Sequence, residues 1–192
     1  MPNTVKEAAK LDANNGDTKW MDAISKEMTN VRVSFDILKD GDRAPIGHKQ
    51  INCHLIYDVK MEDFSRKARL VAGGHMTETP NFMTYSSVVG RETVRIALTI
   101  AALNDLQVKA SDVMNAYVTV PYSEKIWTVL GKEFGKDQGK KAIIVCALYG
   151  LKSSGADFHA HLADCISSIG YILCRGQNDL WMKPEIEHDG DK

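Results

Sequence analysis

Cysteine is scarce in this chain and follows no metal-binding or redox pattern. The four residues, Cys53, Cys146, Cys165 and Cys174, include no CxxC pair, so reduced thiols are the default reading. Long apolar runs are missing too. None approaches the ~20 residues that a bilayer-crossing helix needs, and no apolar stretch with basic flanks opens the chain as a secretory leader would. The expectation is an intracellular, cytoplasmic protein without a membrane partner. Charge of one sign is also lacking: 24 Lys and Arg stand against 25 Asp and Glu, for a formal net charge of -1. Because phosphate backbones are bound by neutralising Lys and Arg, any nucleic-acid surface has to be a local patch. There is no GxGxxG, GxxxxGK(S/T) or GxSxG segment, which disfavours dinucleotide-binding, P-loop and hydrolase chemistry. Asp189-Gly190-Asp191 is too short for a calcium loop.

What is present is an ordinary globular composition. At 192 residues, 44% hydrophobic and 26% charged, the chain suits one domain, or a domain plus part of another, with a sizeable core. Residues 1–17 are polar and read as a flexible lead-in with a turn at Asn14-Asn15-Gly16-Asp17. Trp20, Ala23, Ile24, Met28 and Val31 then make the stripe of an amphipathic helix, with Asp17 or Thr18 as its N-cap. A short strand is expected over Phe35 to Leu38 and a loop over Asp40 to Pro45. The clearest alternation, Ile51, Cys53, Leu55, Tyr57, Val59 and Met61, predicts a half-buried strand. Arg66 to Ala72 reads as its returning partner, with Lys67 and Arg69 on one side because they are two positions apart.

Further along, Val94, Leu98, Ala101 and Ala102 predict a helix, and strands are expected over Leu106 to Asp112, Ile126 to Leu130 and Ala142 to Leu148. A last helix, capped by Ser153 or Ser154 and ended by Gly170, carries Phe158, Leu162, Cys165, Ile166 and Ile169 as its apolar stripe. His161 and Cys165 are four apart on it and His159 is close, but a zinc site needs about four convergent ligands. A final strand is expected over Leu180 to Met182. Helices and antiparallel strand pairs without βαβ spacing predict an α+β fold.

Three segments carry more than pattern. They are Arg66-Lys67-Ala68-Arg69-Leu70-Val71-Ala72, then Asp112-Val113-Met114-Asn115-Ala116-Tyr117-Val118-Thr119-Val120-Pro121, then Ala147-Leu148-Tyr149-Gly150-Leu151-Lys152-Ser153-Ser154-Gly155-Ala156. In this order they make the chain resemble, from about Trp20 to Trp181, a copia-type retrotransposon reverse transcriptase, an RNA-directed DNA polymerase. The resemblance implies fingers and an incomplete palm over 18–183, an antiparallel sheet with packed helices, followed by a polar tail over 184–192. It implies a template-primer of RNA or DNA and a deoxynucleoside triphosphate as partners, with Mg2+ as the ancestral cofactor.

Roles for single residues follow from the same likeness. Asp112 and the carbonyl of Val113 would bind metal, since magnesium takes hard oxygen ligands; an isolated strand-end Asp is otherwise a turn or cap residue. Tyr117 would sit beneath the incoming sugar and exclude a 2′-hydroxyl, or else pack as a core aromatic. Lys67 and Arg69 would clamp the triphosphate, Arg through a planar fork and Lys as a point charge; alone, such a pair is a solvated face. Tyr149, Gly150 and Lys152 would meet the nascent base pair and template, where a glycine permits close approach; the plainer alternative is a strand-to-helix turn. After Lys152 the family commonly has Gln-Ser-Pro or similar, whereas this chain has Ser153-Ser154-Gly155.

Two-metal nucleotidyl transfer holds its ions about 4 Å apart with several carboxylates. The family supplies the others from an aromatic-x-Asp-Asp hairpin, and these 192 residues contain no Asp-Asp pair. The expectation is a fingers and partial-palm fragment that is catalytically incompetent alone. Two alternatives stay open: a non-catalytic nucleic-acid or nucleotide binding remnant acting through Lys67, Arg69 and Lys152, and a decayed retroelement product with no selected function.

Overall fold

The computed structural model describes residues 1–77, 84, 86–177 and 179–183. The tail expected over 184–192 lies outside them, as does most of the loop expected between Thr77 and Tyr85. The chain forms two compact units. One comprises Met1–Thr84 and Asn115–Phe158, the other Tyr85–Met114 and His159–Lys192.

The first unit opens with a helix where a flexible lead-in was expected. In α1 (Val5–Asn15), the Thr4 hydroxyl accepts the Glu7 N–H at 3.2 Å while the Glu7 carboxylate accepts the Asn3 N–H at 2.8 Å. This Thr-x-x-Glu arrangement satisfies N–H groups that a helix start leaves unpaired. Gly16 ends the helix in the left-handed region at φ 69°, donating to the Asp12 carbonyl. The overall polarity of the segment hid these local signals, and burial of Ala8 and Asp12 ties α1 to the core.

Asp12 also determines how the next helix starts. Its two carboxylate oxygens accept the N–H groups of Trp20 at 3.1 Å and Met21 at 2.9 Å, the second and third positions of α2 (Lys19–Val31). Thr18 occupies the N-cap position, yet its hydroxyl bonds Asp22 at 2.8 Å rather than the helix N–H groups. The cap therefore comes mainly from the preceding helix, while Asp17, one of the two residues expected to supply it, accepts only the Lys19 N–H, at 3.4 Å. Trp20, Ile24 and Val31 form the buried stripe, and Trp20 meets Tyr57 edge-on at 5.7 Å between ring centroids.

β3 (Cys53–Val59) and β4 (Arg66–Ala72) make the expected antiparallel hairpin, pairing Cys53 with Ala72 through to Val59 with Arg66. A separate four-stranded sheet has the order β1-β6-β5-β2, from β1 (Phe35–Ile37), β2 (Lys49–Gln50), β5 (Ile126–Val129) and β6 (Lys141–Ile144). Its β2–β5 pair is parallel, so the sheet is mixed where antiparallel pairing was expected. Ile51, Leu70, Ile126, Leu130, Ile144 and Leu148 belong to one core cluster shared by this sheet and the hairpin, each at most 2% exposed. Burying one such side chain is worth roughly 1.5–3 kcal/mol. The result is an α+β fold.

The second unit contains α3 (Arg91–Leu103) and the antiparallel pair β7 (Ile172–Leu173) and β8 (Trp181–Met182). α4 (Ser154–Ser168) contributes its residues through Phe158 to the first unit and the rest to the second. α3 has the predicted apolar positions but buries none of its residues. The strand expected over Leu106 to Asp112 is instead irregular and exposed, because a strand is made by its ladder and no described residue pairs with this segment. Cys165 and Ile169, assigned to a packed stripe, are exposed. Among the described residues no helix is long and apolar enough to cross a membrane, and all four cysteines are unpaired.

Candidate nucleotide-binding surface

The β3–β4 hairpin has two chemically distinct faces because side chains alternate along a strand. Tyr57, Ala68, Leu70 and Ala72 turn to the core. Lys67 and Arg69 lie on the opposite face, where Lys67 stands across from Asp58 and Arg69 across from Ile56. Two N–H groups on the outer edge of β4 are taken up by other segments. Leu70 N–H donates to Glu27 Oε1 at 2.8 Å, and Ala72 N–H donates to the Tyr149 carbonyl at 2.7 Å. Sheet edges left open invite further pairing, so these contacts close part of one.

The Tyr149 segment reaches that edge because its glycine has no side chain. Val71 and Tyr149 form a parallel bridge, and Gly150 takes φ 90° immediately after it. A Cβ at Gly150 would lie 2.2 Å from the Ala72 carbonyl oxygen, and one at Gly74 would lie 2.2 Å from the Gly150 oxygen. The two segments thus touch backbone to backbone, with glycine required on each side. Leu148, Leu151, Ser153 and Ser154 around the turn are buried, and Ser154 Oγ donates to the Leu148 carbonyl at 2.8 Å.

This contact gathers four residues singled out in the sequence. Arg69 places its guanidinium over the Tyr149 ring, 5.1 Å from the centroid. Tyr117, in the one-turn helix Ala116–Thr119, meets Tyr149 edge-on at 4.8 Å and Phe158 at 6.1 Å. Tyr117 is half-buried against the main core, so it packs as an aromatic while retaining some exposure. Lys67 lies on the Arg69 face two residues away, and Gly150 follows Tyr149 directly. Lys152 is engaged differently: its ammonium donates to the Thr77 carbonyl at 2.6 Å, which ties the turn to the end of the hairpin and leaves other N–H donors on the same nitrogen.

Asp112 and Val113 belong to the second unit and lie there on the exposed irregular segment. Among the described residues no group of three or more His, Cys, Asp or Glu side chains converges as a metal site requires. A single exposed carboxylate with a neighbouring carbonyl does not match a two-ion donor set.

The second unit does bring Ser87, His159 and Asp179 together. Ser87 Oγ donates to Asp179 Oδ2 at 2.7 Å and lies 3.5 Å from His159 Nε2, and that same nitrogen contacts Asp179. A nucleophilic relay needs the serine and the acid on different ring nitrogens, so this trio is a polar tie and not a hydrolytic triad. His161 Nε2 and Cys165 Sγ lie 3.7 Å apart on the exposed side of α4.

Sequence reasoning missed Glu27, Gly74 and the Thr77 carbonyl. Gly73-Gly74 was visible only as a strand end, and nothing on α2 marks Glu27 for a strand edge.

The sequence model of the family described as reverse transcriptase (RNA-dependent DNA polymerase) matches residues 36–186. The chain therefore belongs to that family, whose ancestral activity is RNA-directed DNA synthesis with a nucleic-acid template, deoxynucleoside triphosphate and divalent metal. No solved structure matches the chain.

Proposed function

We propose that the first unit is the nucleotide-gripping element of a copia-type reverse transcriptase, and that these residues bind nucleotide and template without completing phosphoryl transfer alone. The observation that carries this reading is the stack of Arg69 on Tyr149, itself braced by Tyr117. A guanidinium lying on an aromatic face keeps its planar fork of donors oriented, which suits bidentate contact with phosphate. Lys67 adds a second cation on the same face, and Tyr117 and Tyr149 offer ring surface to a sugar and base. Gly150 lets a strand pass close to the backbone, and Lys152 has further donors for a template phosphate. Asp112 and Val113 remain as the ancestral metal position. The other carboxylates that two-metal transfer needs are not among the described clusters, and the 192 residues hold no Asp-Asp pair.

Titration with a deoxynucleoside triphosphate should show salt-sensitive binding, weakened at least about tenfold in the Lys67→Ala/Arg69→Ala double variant. Unchanged binding in that variant overturns the assignment. Primer extension on a homopolymer template with Mg2+ or Mn2+ should give no product. Extension that Asp112→Asn abolishes would contradict incompetence.

A further inference from the structure

Glu27 lies on α2, and its Oε1 accepts the Leu70 N–H at 2.8 Å from the outer edge of β4. The next outward N–H, at Ala72, is held by the Tyr149 carbonyl at 2.7 Å. Arg69 precedes the first of these anchored positions, and its guanidinium covers the ring of the residue that supplies the second. Lys67 has Asp58 directly across the hairpin, whereas Arg69 has Ile56. Burial holds the Glu27 carboxyl above the ordinary carboxylate range, opposed by the Leu70 N–H and then by the positive charges of Arg69 and Lys67.

We propose that Glu27 is a positioning residue for anion binding at Arg69. Its carboxylate pins the β4 main chain next to Arg69, and its negative charge competes with an incoming phosphate for that guanidinium. This rests on the reading that Lys67 and Arg69 receive a triphosphate. Pinning and competition have opposite signs: the first keeps the guanidinium over Tyr149, and the second weakens its hold on a further anion. Charges near a protein surface still act on one another across several ångströms, because the effective dielectric there is about 20 and not that of bulk water.

Inorganic tripolyphosphate titrated calorimetrically into the full chain at one low salt concentration tests this. Glu27→Gln keeps an amide oxygen for the Leu70 N–H and removes the charge, so it should bind about threefold tighter than the parent chain. Glu27→Ala removes both functions and should bind more weakly than Glu27→Gln and melt at a lower temperature. If the parent chain binds, Lys67→Ala/Arg69→Ala does not, and Glu27→Gln shows no gain, competition is overturned while the cation clamp stands. Equal affinities for the Gln and Ala variants overturn pinning. A parent chain that does not bind, or a double variant that binds equally well, removes the clamp and this inference with it.

Discussion

The guanidinium of Arg69 on β4 lies 5.1 Å from the centre of the Tyr149 ring, joining two segments far apart in the chain. A cation on an aromatic face at a partly exposed site is worth about 0.5–1 kcal/mol. Tyr149→Ala is therefore expected to weaken nucleotide binding about two- to fivefold, and Tyr149→Phe to leave it near the parent value. Arg69→Lys keeps the charge but loses the planar fork, so it should weaken binding more than Tyr149→Ala does. Calorimetric titration of the three variants checks the order.

Gly150 should tolerate no side chain. At φ 90°, with the Ala72 oxygen 2.2 Å from the place of a Cβ, Gly150→Ala forces the Tyr149 segment off β4. A loss on the order of 3 kcal/mol or more is expected, from backbone strain and a broken edge contact together. Gly139 also has a positive φ, of 83°, but nothing lies within 4 Å of its Cβ position. Gly139→Ala should cost only about 1–2 kcal/mol. Urea melts that find the two variants equally destabilised would refute the close approach.

The acid limb of stability should depend on Asp137. Hydrogen bonds from Arg32 and then Lys140 hold its carboxyl below the ordinary carboxylate range. A folded-state value below the unfolded one adds stability that is present above the unfolded value, near pH 4, and is lost as pH falls through the folded value. Asp137→Asn should accordingly flatten the loss of thermal stability below about pH 4. An unaltered acid limb would show that these pairs do not contribute.

Thiol chemistry should separate the cysteines. Burial pushes the Cys53 thiol up to about 11, whereas Cys165 is exposed. Since the thiolate is the reactive form, Cys165 should be labelled by iodoacetamide at neutral pH long before Cys53. Peptide mapping during a labelling time course reads this out, with Cys53 reacting only once the chain is unfolded. Early labelling of Cys53 would mean that the hairpin opens readily.

Much of the local structure was legible because local physics decides it. The alternation from Cys53 to Val59 and the stripe Trp20, Ile24 and Val31 each describe one face that must be buried, and both elements form where that pattern predicts. The misread elements failed for nameable reasons. Residues 1–17 looked polar, but Thr4, Glu7 and Gly16 were capping signals within reach. Leu106 to Asp112 had strand composition and found no ladder partner among the described residues.

The sequence alone determined the family, through three motifs in order, and the opposed faces of β4, because alternation along a strand needs no partner to be read. Tertiary structure decided which of those residues meet. Arg69, Tyr117, Tyr149 and Gly150 come together because two glycines let separate backbones touch, and Glu27 enters because α2 packs across the hairpin. Such contacts depend on distances between segments remote in sequence, and no periodicity within either segment encodes them.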